Sequence, residues 1–436
     1  MQIGLRMNQK KIFLFQSMTG VSANTLITIF SQIFFPVLVL NQFGMLGFKL
    51  WVVANSSAAL VSLGELGIGS LLSVECEKLG DARGSVAVAA FYKKIRLLFF
   101  NWMNIFAFLV VLLLVLFHYF FSQRDESNKE LIIVTTLLSI SNLIYARYSI
   151  GISGLRIRKK FAYSQAFLAM SRSTETVLVI LSLLFAHSLQ VTAFALFLNR
   201  FFTMLLLNRK VNQLWPELLT NSERDDFGLQ SLRKPIIGNF FITSANWLRQ
   251  QGPQFIGAQL LSLDTFVIFS LLRTFASGLR QIGDTVYSAF SPHLSAEILR
   301  RDGESLKQTI RWLLISVVFV EVAYLSISIV FGKEIISAWL HKTIYFSSLD
   351  FFFIVLATGL DVLVIFPLAI LMSANKHFNY SSAFCLGSGL SLIASAFLSF
   401  SNGLTGFACG LFVLNILVLP YGIYLLIKFV KSVSDY

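Results

Sequence analysis

At 436 residues, 56% hydrophobic and only 13% charged, the chain departs sharply from the roughly 25% charged composition of a soluble domain. That composition excludes an ordinary water-soluble enzyme and reads as a polytopic membrane protein. A net charge of +13 would suit a nucleic-acid binder. Most of its Lys and Arg, however, fall in short loops on one side of the expected topology, where they act as orientation signals, and no nucleic-acid partner is implied.

Apolar runs of about 20 residues, the length that crosses a bilayer as a helix, give twelve expected spans. Their approximate limits are 14–40, 48–74, 95–121, 131–153, 162–186, 189–207, 236–262, 265–291, 310–332, 349–373, 380–400 and 404–428. The first run follows Arg6, Lys10 and Lys11 but continues beyond Leu40 without a small-residue cleavage pattern, so it reads as a retained span and not a signal peptide. Lys49, Arg124, Lys129, Lys333 and Lys342 fall in the outer loops, and the larger number of loop cations on the other side places both termini in the cytosol. Outer loops are short, the longest running from about Gly332 to Ser348. Cys76, Cys385 and Cys409 have neither paired nor metal-like spacing.

A polar stretch near 208–235, containing Pro216 and NSERDD, separates a six-helix N-terminal lobe (1–207) from a six-helix C-terminal lobe (236–436). Six is even, so both lobes begin on the cytosolic side and are expected to be parallel repeats. The expected fold class is therefore all-α integral membrane, with twelve transmembrane helices in two parallel six-helix lobes around a central cavity. Pro36 and Pro253 interrupt the opening helices of the two halves, and such paired interruptions point to a transport site. Both are candidate hinges. Pro367 and Pro420 have no partners in the first half.

Six arginines lie inside otherwise apolar spans: Arg147, Arg172, Arg200, Arg249, Arg273 and Arg280. Each costs about 2.5–3.5 kcal/mol at the centre of an inserting helix, so the set requires a hydrated or ion-paired interior. In the seventh span, Asn246, Arg249, Gln250, Gln251 and Gln254 surround Gly252-Pro253. Pro253 cannot donate to the Arg249 carbonyl, so the helix should bend where that guanidinium projects. On the eighth, Arg273 and Arg280 share a stripe with Ser277. Asp284 follows Arg280 at i+4 and either neutralises it or leaves it as a ligand, while Arg273 has no acid one turn away. Residues 171–176, SRSTET, allow an Arg172–Glu175 pair at i,i+3 or a polar cavity wall. Arg147 and Arg200 lie nearer the cytosolic ends of their spans, where snorkelling is favoured.

Glu65, Glu321 and Asp361 stand isolated in the second, ninth and tenth spans. With Asp284 and Glu175 they are candidates for ion coupling or for counter-ions to the arginines. Gly20, Asn24, Thr28 and Gln32 line one face of the first span up to Pro36, as a gate or as helix–helix glue. No nucleotide-binding loop, zinc-protease motif or histidine cluster occurs, so neither an enzyme nor a cofactor or metal is implied. Energy must come from an ion gradient, the membrane potential or downhill substrate flow.

Several stretches resemble the polysaccharide-exporter branch of the multidrug/oligosaccharidyl-lipid/polysaccharide (MOP) exporter superfamily, most closely the Wzx-type O-antigen flippases. GLRIRKKF (154–161) looks like the basic turn after the fourth span, and LSLDTFVIFSLLR (261–273) is similar to the short outer turn before the eighth. SPHL (291–294) resembles the Pro-marked inner end of the eighth span, and SAWLHK (337–342) the Trp-containing segment after the ninth. The resemblance implies a secondary transporter of the bacterial inner membrane. Such a protein moves an undecaprenyl-pyrophosphate-linked oligosaccharide, an O-antigen or related repeat unit, to the periplasmic leaflet by alternating access. It also implies other membrane proteins of polysaccharide assembly as partners, beside the lipid bilayer. Arg249, Arg273, Arg172 and Arg280 are the positions that match a cationic lumen. The alternatives are a multidrug or cation extruder of the same superfamily and a membrane polymerase or ligase.

Overall fold

A computed structural model describes the backbone of residues 2–121, 126–218, 233–300, 302–340, 345–374 and 376–434, and most of their side chains from Thr25 onward. The NSERDD segment, Arg124 and Lys342, and the side chains of Gly20 and Asn24, lie outside the described residues.

The described chain is helical nearly throughout. Its helices are α1 (Gln2–Ala58), α2 (Ile68–Phe121), α3 (Glu126–Ile157), α4 (Phe161–Ala186), α5 (Leu189–Leu214) and α6 (Arg233–Gln250). There follow α7 (Gly252–Leu260), α8 (Leu263–Arg300), α9 (Gly303–Leu340), α10 (Ser348–Ser373), α11 (Phe378–Gly410) and α12 (Phe412–Ser434). Three of these are bent by a glycine at positive φ: Gly44 in α1, Gly84 in α2 and Gly403 in α11. A side chain would be strained there. Each of the three falls between expected spans.

Eight described helical stretches are long and apolar enough to cross a membrane. Of these, Thr25–Glu65 runs across Gly44, and Phe378–Val433 contains the eleventh and twelfth expected spans. The expected seventh and eighth spans are not among the eight, for a physical reason. The seventh is split into α6, 18 residues ending in Arg249-Gln250, and α7, only nine residues. The eighth, in α8, carries Arg273, Arg280 and Asp284. α8 also continues past the expected end at 291 to Arg300, and α9 absorbs the start of the longest expected outer loop up to Leu340.

Two compact units emerge, one formed by Met1–Thr28 and Leu50–Thr243, the other by Ile29–Lys49 and Ser244–Tyr436. The first is built on Tyr92, Phe99, Met103, Ile150, Leu155 and Trp215, all buried. Tyr92 stacks at 5.1 Å on Trp215 and donates its hydroxyl to the Ile150 carbonyl at 3.0 Å. The second is centred on α10, which packs on α8, α11 and α12 and buries Ile354, Val355, Val362 and Val364. Its segment of α1 is held on α8: Gln32 Oε1 accepts from the Ser277 hydroxyl at 3.1 Å and from the Gln281 amide.

Candidate functional site

In the second unit the bend expected at Pro253 lies between α6 and α7. Gln251 separates the two helices, and Pro253 occupies the first turn of α7, where its missing N–H costs nothing. The Arg249 carbonyl has no helical donor at position 253, and the Arg273 guanidinium donates to it from α8. The Arg249 side chain is 4% exposed and held on several sides. Its Nε lies 3.7 Å from Asp361 Oδ2, Nη1 donates to the Asp361 carbonyl at 3.2 Å, and Nη2 to Asn246 Oδ1 at 3.4 Å. The ring of Phe384 lies 5.4 Å beneath its guanidinium, within cation–π range.

Arg249 and Arg273 line one void of about 10 Å³ with Asp361, Thr358, Ser388 and Ser391, room for about one water. Arg273 has no ion pair among the described residues. Its guanidinium stacks 5.9 Å from Phe269 and feels the Asp361 charge at longer range. Arg280 pairs with Asp284 at 3.6 Å, where Asp284 is half exposed, and its charge also acts on Asp361. Within 4 Å Asp361 pairs with Arg249, and Arg273 lines the same small void. Glu321, 6% exposed, has an Oε1 with no hydrogen-bond partner among the described residues.

The first unit has its own cluster. Glu175 lies 3.7 Å from Arg172 and 3.0 Å from Arg200. Arg200 also donates to Asn142 Oδ1 at 2.6 Å. Both guanidiniums stack on the ring of Tyr145, at 5.4 Å and 5.2 Å, and Arg172 reaches the Tyr145 hydroxyl at 3.4 Å. The sequence favours an interfacial reach for Arg200; in the structure it turns inward to Glu175 and is 14% exposed. Arg172, at 34%, is the more open of the two.

Glu65 stands apart from both clusters, bonded by the Ser149 hydroxyl at 2.6 Å. It closes a 3₁₀ segment, Ala59–Glu65, before Leu66 and Gly67 pass through the left-handed region. Pro36 lies inside α1. The structure thus brings together Arg249, Arg273 and Asp361, and separately Arg172 and Glu175. Tyr145, Asn142, Ser388 and Ser391 join these clusters without having been singled out in the sequence; only the i,i+3 spacing of the two serines on α11 hinted at a polar face. Among the described residues no group of His, Cys, Asp and Glu is placed to hold a metal ion.

No protein-family model and no curated protein sequence matches this chain. Solved structures do match it over nearly its whole length. A MOP superfamily transporter from Pyrococcus furiosus, described as having a binding pocket of reverse polarity that suggests a different function, superposes with a TM-score of 0.68. It is 14% identical, covering 96% of this chain and 95% of that one. A multidrug resistance MATE family transporter of the MOP superfamily, in its inward-facing conformation, gives 0.66 at 14% identity, covering 94% and 96%. A mutant of a Vibrio cholerae MATE transporter gives 0.66 at 14% identity, covering 97% and 98%. The fold of this chain is the all-α membrane fold of the MATE transporters of the MOP superfamily.

Proposed function

We propose that this protein is a secondary transporter that flips an undecaprenyl-pyrophosphate-linked oligosaccharide, an O-antigen or related repeat unit, across the bacterial inner membrane by alternating access. The observation that carries the reading is Arg273, a guanidinium without its own carboxylate, beside the Arg249–Asp361 pair and a water-sized void. A planar guanidinium bonds phosphate oxygens bidentately and stays charged at any working pH. Arg172 offers a second partly open guanidinium in the other unit. Two rivals are weaker. A cation extruder gains nothing from arginines at its site, although the fold hosts multidrug transporters; the reverse-polarity pocket of the Pyrococcus furiosus neighbour is the more apt parallel. A polymerase or ligase would work outside, where the sequence offers only short loops.

The test is deletion of the protein, followed by locating the lipid-linked repeat unit and visualising surface polysaccharide on a gel. Accumulation in the inner leaflet with loss of polysaccharide supports flipping; accumulation in the outer leaflet identifies a polymerase or ligase, and altered drug susceptibility alone identifies an extruder. Arg249→Ala and Arg273→Ala are expected to abolish polysaccharide at normal protein level, with Arg249→Lys restoring part. Full activity in both alanine variants removes the pair from the site.

A further inference from the structure

A different pair of guanidiniums, both in the first unit, is left without acids. Arg96 of α2 and Arg147 of α3 stack on one ring, that of Phe100, at 5.4 Å and 5.1 Å. Their polar partners are neutral: Arg96 donates to Asn208 Oδ1 at 3.2 Å and Arg147 to Asn104 Oδ1. Among the described residues neither has an ion pair, and the buried Nε of Arg147 finds no acceptor. Each arginine of the two clusters above except Arg273 has a carboxylate within 4 Å.

The surroundings indicate what supplies the missing anion. Arg96, Phe100 and Asn104 follow one another at i,i+4 along α2, and the adjoining face of the same helix presents Leu97, Ile105 and Phe108 at 58%, 60% and 68% exposure. In a membrane-spanning helix that face meets hydrocarbon. The pair therefore borders lipid, close to the basic end of the helix where Lys93 and Lys94 precede Arg96. Lipid phosphates lie at that depth, and basic positions between helix ends are where acidic head groups bind. A phosphate there gains a charge-assisted hydrogen bond from an arginine whose side chain is already oriented by stacking on a ring.

We propose that Arg96 and Arg147, on their shared Phe100 platform, bind the phosphate head group of an anionic membrane lipid. This site is independent of the transported cargo and does not rest on the flippase reading.

The probes are phosphatidylglycerol, phosphatidylcholine with the same acyl chains, and inorganic phosphate, each added to the purified full-length protein. Thermal unfolding midpoints and lipids retained in native mass spectrometry are the readouts. Phosphatidylglycerol is expected to raise the midpoint by a few degrees and to remain bound, phosphatidylcholine to do neither. Arg96→Gln with Arg147→Gln should lose both effects, whereas Arg96→Lys with Arg147→Lys keeps part of each. If the double glutamine variant does not fold, the single glutamine variants decide, each losing part of the shift. Undiminished lipid retention in these variants overturns the site. An equal response to inorganic phosphate overturns the lipid assignment in favour of a free anion.

Discussion

Arg273 donates its guanidinium to the backbone carbonyl of Arg249, the one carbonyl of that helix turn that Pro253 leaves without a partner. The proline thus does more than bend the chain, because it exposes an acceptor that fixes a second arginine beside the first. Pro253→Ala supplies an N–H that competes for this carbonyl. A hydrogen bond to a charged group contributes about 1.5–3 kcal/mol, so its loss should slow transport by roughly ten- to a hundredfold. Initial rates of the proposed lipid flipping in proteoliposomes, at matched protein content, measure this. Arg273→Lys retains a donor and should fall between the two; wild-type rates in both variants would show the bond to be incidental.

The pair of Arg249 and Asp361 sets a second expectation. Both side chains are largely buried, at 4% and 15% exposure, so removing one partner strands the other. Breaking a buried pair costs about 3–5 kcal/mol. Asp361→Ala should be the more damaging change, because it strands the buried Arg249 guanidinium, whose Nε lies 3.7 Å from that carboxylate. The double variant should be less destabilised than the sum of the singles, with a coupling of about 0.5–3 kcal/mol. Thermal or denaturant unfolding in detergent gives all four corners of the cycle. Simple additivity would mean that the two charges do not sense each other.

Local chemistry was legible in the sequence and cross-helix chemistry was not. The break at Pro253, the Arg280–Asp284 contact and the Arg172–Glu175 contact follow from proline geometry and helical spacing, which act within one or two turns. The bond from Arg273 to the Arg249 carbonyl joins residues 24 positions apart on two helices, and nothing in the spacing of either helix encodes it. Arg200 misleads for the same reason: its distance from the expected span end suggests snorkelling, whereas the partners that turn it inward, Glu175 and Asn142, come from α4 and α3. The polar character of the seventh and eighth spans was visible from the start, and it is this polarity that keeps them from counting as apolar spans.

Within the first unit, Arg200 and Arg172 are expected to divide structure from function. Arg200 contacts both Glu175 oxygens, at 3.0 Å and 3.5 Å, and Asn142 at 2.6 Å. Arg200→Ala should therefore destabilise by about 3 kcal/mol, as for other buried pairs broken on one side. Arg172 is more open and lies 3.7 Å from Glu175, so Arg172→Ala should cost under about 1 kcal/mol while reducing transport. Unfolding midpoints and flipping rates on the same preparations separate the two effects. A reversed order of stability would place Arg172 as the structural counter-ion.

The last expectation concerns pH. His377, at the turn between α10 and α11 and outside the spans, is 4% exposed, and neither ring nitrogen has a hydrogen-bond partner among the described residues. Burial disfavours the imidazolium and holds its pKa below the ordinary 6.5. In the folded protein it stays neutral over a range where the unfolded chain takes up a proton. Above pH 6.5 the residue therefore exacts no penalty, and as pH falls below 6.5 the unfolded state gains. The slope for this one site is at most about 1.4 kcal/mol per pH unit. His377→Asn removes the titrating group, so its unfolding midpoint should fall less than that of the wild type between about pH 7.5 and about pH 5. Parallel pH profiles for the two proteins would mean that His377 opens to water and is protonated in place.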